Sequence, residues 1–242
     1  MFGTRAVAPI PPLERCQVVV VRILWLLGIS YFLGAIPFGY IIAKLTRNVD
    51  VRQIESGRTG GTNTLRAAGF WAGLATATLD ILKGASAVWL AKFVFPELYW
   101  VHVLAPVMAI IGHNYSLILA ERDPEGKVRV YGGAGGAPAA GGALGLWAPS
   151  LLYIVAIGVV LFFVVGYASV TTMSVPLIAG VVFAWQVRVG NLPAVYPFYA
   201  VLAEALLLWA LRPNIRRLLN GTERVVGLRA WWAKRQAQQS RG

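Results

Sequence analysis

The sequence is poor in the residues that build disulfides, metal centres and charged surfaces, with one cysteine and two histidines among 242 residues. Cys16 alone forms no internal disulfide, and His102 and His113 lie outside any Cys/His cluster, so neither a metal nor a cofactor is expected. The Walker A spacing G-x-x-x-x-G-K-[ST] is absent, as are zinc-finger, RNP-type and basic-zipper patterns. A formal charge of +12 therefore does not lead to nucleic acid as a partner. No internal repeat is visible, which argues against a transporter built from duplicated halves. Charge itself is scarce: 13% of residues are charged against 57% hydrophobic, with a mean hydropathy of +0.64. That balance leaves too little polar surface to cover a water-soluble sphere and reads as a polytopic membrane protein.

What the chain has instead is a series of apolar segments, each near the roughly twenty residues a helix needs to cross a hydrocarbon core. They run over residues 23–45, 69–95, 99–120, 134–147, 149–166, 169–185 and 193–211. The fourth is short and rich in Gly and Ala, so it either packs tightly through small residues or dips in without spanning. Ahead of the first, Pro9, Pro11 and Pro12 break any signal-type apolar run, and the segment is read as retained. Lys44, Arg47, Arg52, Arg58 and Arg66 follow the first segment, Arg122, Lys127 and Arg129 the third, and eight Lys/Arg from Arg212 to Arg241 the seventh. The opposite side has only Arg5, Arg15, Arg22, Lys92 and Arg188. Because Lys and Arg favour the cytoplasmic side, the N-terminus is expected outside and the C-terminus inside. The expected organisation is an extracytoplasmic segment 1–22, an all-α membrane domain of seven helices over 23–211, and a basic cytoplasmic tail 212–242.

All the long polar stretches fall on the cytoplasmic side of this topology. In ESGRTGGTN, residues 55–63, three glycines and several short donors either form an anion nest with Arg58 and Arg66 or make a flexible turn before a helix. Asp80 and Lys83, in LDILKG, sit three residues apart inside an apolar helix, as a buried structural pair or as working groups. His113 stands at the inner end of the third segment, placed to contact phosphate, shuttle a proton or merely reach the interface. YGGAGGAPAAGG, residues 131–142, is a second glycine-rich entry into a segment, and Ser169, Thr171, Thr172 and Ser174 cluster at the inner end of the sixth. Small residues also serve packing, and hydroxyls also cap helices. The tail mixes arginines with Leu218, Leu219, Trp231 and Trp232 and reads as an amphipathic helix on anionic lipid.

Taken in order, YFLGAIPFGYIIAKL, ESGRTGGTNTLR, LDILKG, the Gly-His pair before Asn114, GGAGG, SVTT and RPNIRRLLNGTE form a specific set. Over roughly residues 31–223 the chain resembles the acyl-phosphate-dependent glycerol-3-phosphate acyltransferases of bacteria, the membrane-embedded PlsY family. The resemblance implies a seven-helix, multi-pass enzyme of a bacterial inner or plasma membrane. Its partners would be acyl-phosphate, glycerol-3-phosphate and membrane lipid, and its products lysophosphatidate and phosphate. It implies catalytic roles for Ser56, Arg66, His113 and Asn214. The candidate phosphate-binding residues are Gly57, Arg58, Thr62, Asn63, Gly133, Gly135 and Ser169. Three positions depart from the family's pattern: Ala134 stands where Lys is expected, Leu211 where His is expected and Arg58 where Asn is expected. One cation is lost and one gained in two glycine-rich segments, so Arg58 is expected to replace the cation missing at Ala134. The alternatives are a paralogue that binds lipid or phosphate without turnover and, further off, a small transporter.

Overall fold

The computed structural model describes residues 12–239. Arg5, Pro9, Pro11 and Arg241 lie outside the described residues. Helix α1 (Pro12–Ala35) starts inside the segment expected to precede the first span. Residues 13–22 contain neither Gly nor Pro, and Pro12 at the first helical position is preorganised for a helix start. Pro37 then breaks the rod, and α2 (Phe38–Arg47) continues it. A 3-10 turn (Val51–Gln53) leads to α3 (Gly61–Ala68), α4 (Phe70–Val94) and α5 (Tyr99–Asn114). After a hairpin, α6 (Gly136–Leu146) and α7 (Ser150–Val160) follow, the latter running into a π-helical turn (Leu161–Val165). The chain ends in α8 (Ala168–Arg188), α9 (Tyr196–Ala210), α10 (Arg212–Leu219) and α11 (Gly227–Gln239).

Two expectations are corrected. The fold is predominantly rather than purely helical, because β1 (Ser116–Arg122) and β2 (Val128–Tyr131) pair antiparallel where the third span was expected to continue to residue 120. Hydropathy does not separate a short apolar strand from the end of a helix. Side-chain and turn chemistry decides it: Ser116 Oγ donates to Ala35 O at 2.6 Å, and the carboxylate of Asp123 accepts from the Glu125 and Lys127 N–H groups across the D-P-E-G turn. The tail is likewise not one interfacial helix. Gly221 and Gly227, both at positive φ, separate α10 from α11, and α10 belongs to the polar cavity described below.

Three stretches are long and apolar enough to cross a hydrocarbon core, Cys16–Arg47, Phe70–Val94 and Ala168–Arg188; a fourth is α9 with α10, bent by 68°. Their outer faces are oily, with Trp25 71%, Phe93 86% and Val181 72% exposed. Segments 134–147 and 149–166 hold α-helices of only 11 residues each. One apolar core, including Ile110, Ala143, Phe183, Tyr199 and Leu207, sits among α5, α6, α8 and α9, and a second joins α1, α4 and α5 through Leu26, Ala87, Ala105 and Ala109.

Helices α4 and α6 meet backbone to backbone. A Cβ on Gly84 would strike the Pro138 carbonyl, and one on Gly141 would strike that of Ile81. Small residues at such a crossing maximise van der Waals contact where no hydrophobic force between helices operates. Replacing Gly141 by Leu is expected to separate the pair at a cost of about 1–3 kcal/mol or more. Thermal unfolding in detergent should show a lower midpoint, and an unchanged midpoint would count against this contact.

Candidate active site

The loop before α3 is shaped from within. The Asn63 side-chain amide donates toward three carbonyls, those of Val51, Ile54 and Arg58, at 2.8–2.9 Å. Its NH2 group is therefore occupied in folding the loop. Arg52 ties the loop outward, donating to Asp50 and to Glu121 of β1 and lying 5.0 Å from both the Tyr40 and Tyr131 rings. That guanidinium, bonded to Asp50, holds the carboxyl below the usual carboxylate range.

Around this loop lies a cavity of about 410 Å³. It gathers Ser56, Arg58, Thr62, Asn63, Arg66, His113, Gly135, Ser169 and Asn214 from five separate stretches of chain, and Ala134 and Leu211 line it too. Gly57 and Gly133 are elsewhere, lining a neighbouring cavity of about 600 Å³ whose border includes Arg58. The N-terminal residues of α3, α6 and α8, namely Gly61, Gly136 and Ala168, all face the first cavity. Each such end carries about half a positive charge and unbonded N–H groups, so their convergence favours an anion. Ser169 adds a buried hydroxyl with no hydrogen-bond partner among the described residues.

The charges in the cavity sort into paired and free. Arg224 pairs with Glu55, and Arg217 with Glu223. Arg66, exposed on α3, makes no hydrogen bond or ion pair among the described residues. Arg58 reaches across to the bend between α9 and α10, where its Nη2 donates to Ala210 O at 2.6 Å and to Asn214 Oδ1 at 3.2 Å. Pro213 has no N–H for the Trp209 carbonyl, and the bend also leaves that of Ala210 open. Arg212 takes the first and Arg58 the second. Burial, followed by the nearby Arg217 charge, pushes the Arg58 pKa down from its ordinary value. Asn214 is engaged at both ends, accepting from Arg58 and donating Nδ2 to Glu223 Oε1 at 2.8 Å. It positions Arg58 and Glu223.

Beneath the cavity, Asp80 is 1% exposed and lies 2.8 Å from Lys83 Nζ and 3.6 Å from His113 Nδ1. Neither carboxylate oxygen has a hydrogen-bond partner among the described residues, although the Lys83 contact is close enough for an ion pair. Lys83 also donates to Ile36 O at 2.9 Å, meeting the carbonyl at the Pro37 break. Gly133 bears on the same group: a Cβ there would collide with the His113 ring. Among the described residues, no group of three or more His, Cys, Asp and Glu gathers as metal ligands.

The family model described as glycerol-3-phosphate acyltransferase matches residues 24–221. The chain belongs to that family. A glycerol-3-phosphate acyltransferase of Dehalococcoides mccartyi is 34% identical over 230 residues, spanning 87% of this chain and 99% of its own length. Those of Halalkalibacterium halodurans and Thermus thermophilus are each 35% identical, spanning 84% and 85% of this chain and 95% and 96% of theirs. Among solved structures, the acyltransferase PlsY, an integral membrane protein in its glycerol 3-phosphate form, superposes with a TM-score of 0.72. It is 30% identical and covers 85% of this chain and 96% of its own. A lysophosphatidic acid form of the same acyltransferase matches equally well.

Glu55, Asp80, Arg217, Glu223 and Arg224 also line the cavity, although none was among the expected site residues. An ionisable group inside an apolar run marks Asp80 in the sequence. The Glu55–Arg224 pairing spans most of the chain and carries no local signal. Lys83→Met would leave Asp80 buried without its partner, an expected loss of about 3–5 kcal/mol. In unfolding measurements the Asp80→Asn, Lys83→Met double variant should lose less than the sum of the singles. Strict additivity would show the two groups are independent.

Proposed function

We propose that the protein transfers a fatty acyl group from acyl-phosphate to the sn-1 hydroxyl of glycerol-3-phosphate, giving lysophosphatidate and phosphate. The observation that carries this reading is one cavity in which three helix N-termini converge on two arginines, Arg58 and Arg66, that make no ion pair among the described residues. Arg66, with its planar fork unoccupied, grips a substrate phosphate, while Ser56, Thr62 and Ser169 supply neutral donors at the same anion. Arg58 has one guanidinium nitrogen fixed to the helix bend and turns the rest of its charge to the cavity.

The reaction needs little covalent work from the protein, since acyl-phosphate is already activated. The glycerol hydroxyl oxygen bonds to the acyl carbon while the bond from that carbon to the phosphate oxygen breaks. The hydroxyl proton passes to the departing phosphate, directly or by way of His113. Orientation of the hydroxyl and compensation of charge on the leaving phosphate supply the rate enhancement. Gly133 leaves room for the His113 ring and Asp80 flanks it, so these two position the imidazole. Purified protein given both substrates should yield lysophosphatidate and phosphate in equal amounts. Binding without product would favour the non-catalytic paralogue instead.

We further read the chain as seven membrane-crossing segments with the N-terminus outside and the cavity facing the cytoplasm of a bacterial cell. With Cys16 replaced by serine, a cysteine introduced at Ser56 should be labelled by an impermeant reagent only in inside-out vesicles. Labelling from the outside would reverse the orientation.

Arg58 takes over the work of the cation missing at Ala134, with which it shares the cavity. Arg58→Asn is expected to lower kcat/KM on the order of a hundredfold, the usual cost of losing a donor to developing charge. Adding Ala134→Lys should restore a substantial part of it. An Arg58→Asn enzyme with normal kinetics, or a double variant no better than the single, would rule compensation out.

A further inference from the structure

A cavity of about 900 Å³ opens off the polar one, with Thr62, Arg66, Ala77 and Arg224 common to both. Glu55 and Glu223 border both as well, and away from that shared rim the walls are oily: Phe70 and Leu74 of α4, Phe162 and Phe163 of the π-helical turn, and Val226 and Ala230 of the tail. These last two lie beyond residue 221, where the family match ends. The tail is nonetheless fastened down. Val226 N–H donates to Gly166 O at 2.8 Å, and Arg229 Nη1 donates to Val165 O at 3.1 Å while its guanidinium lies 5.1 Å from the Tyr167 ring. Gly227, at φ 62°, fits so closely that a Cβ would stand 2.8 Å from Phe163 Cα. A π-helical turn of this kind often marks a functional site.

A polar, cationic chamber continuous with an apolar groove suits a ligand with a phosphate at one end and a hydrocarbon chain at the other. The groove is within the size range of small-molecule sites. We propose that it holds the acyl chain of the acyl-phosphate, and that the tail segment 224–230 is a specificity determinant that selects among chain lengths. This rests on the acyltransferase reading given above. Ala230 is the residue through which selection acts: its side chain is a single methyl that lines the groove and no part of the polar cavity. Each methylene held in such a groove contributes about fourfold in affinity.

The test compares decanoyl phosphate with hexadecanoyl phosphate at saturating glycerol-3-phosphate. Ala230→Trp should lower the hexadecanoyl-to-decanoyl ratio of kcat/KM by roughly tenfold or more, since two displaced methylenes suffice. The KM for glycerol-3-phosphate should not change. Ending the chain after Glu223 removes the wall and should lower the same ratio. An unchanged ratio in both variants overturns the proposal and leaves the groove as unselective lipid contact. Binding is read separately with hexadecyl phosphate carrying a terminal diazirine, which should label peptides containing Phe162, Phe163 or residues 225–230. Labelling confined to other helices overturns the proposal. A wild-type protein that converts neither donor removes the acyltransferase reading, and the labelling then decides the groove alone.

Discussion

The contact between α4 and α6 governs the rest of the molecule. With Gly84 against the Pro138 carbonyl and Gly141 against that of Ile81, no side chain separates the two backbones. Asp80 and Lys83 stand one turn or less from that crossing on α4, and the N-terminus of α6, with Gly135 and Gly136, lies beside them. A bulkier crossing would draw the α6 N-terminus away from the buried carboxylate and widen the cavity between them. Tyr199 of α9 pins α6 from its other side through a 2.7 Å hydrogen bond to Ala139 O. The short α6 is thus clasped along its length, as a segment of 11 residues must be if it is to hold a fixed place.

Charge is distributed with the same economy. Lys83 bonds both Asp80 and the Ile36 carbonyl at the Pro37 break, Arg52 joins the first loop to the hairpin, and Arg217 and Arg224 are matched by Glu223 and Glu55. Arg58 and Arg66, which make no ion pair among the described residues, stand where the helix ends converge. On the proposed reading a phosphate dianion there would meet two guanidinium groups in a partly dehydrated setting, where charge-assisted hydrogen bonds are worth about 1.5–3 kcal/mol each. The helix ends add typically about 0.3–1 kcal/mol apiece, so the arginines decide binding and the helix ends refine its position.

The sequence made the helices, the polar loops and most of the cavity legible, because apolar run length and the ordered motifs are local signals. Ser56, Arg66, His113, Ser169 and Asn214 do meet in one cavity. The hairpin is hidden from hydropathy because the apolar residues of β1 extend that of α5 without a break, although D-P-E-G and the alternation in KVRVY mark a turn and a strand. Asn63 and Asn214 illustrate a different limit: a motif identifies which amide matters, and only the fold reveals that both hold neighbouring groups in place. The docking of α11 on the π-helical turn depends on Gly166 against Val226 and Arg229 and on Gly227 against Phe162 and Phe163, contacts between distant stretches for which no periodicity exists.

The central claim is that Arg58 and Arg66 together hold a substrate phosphate. Calorimetric titration of the purified protein with glycerol-3-phosphate, with glycerol as a control, addresses it without requiring turnover. The wild-type protein should bind glycerol-3-phosphate and ignore glycerol, and the Arg58→Asn, Arg66→Ala double variant should lose at least about a hundredfold in affinity, since two charged donors are removed. A double variant that binds glycerol-3-phosphate as tightly as the wild type would contradict the account.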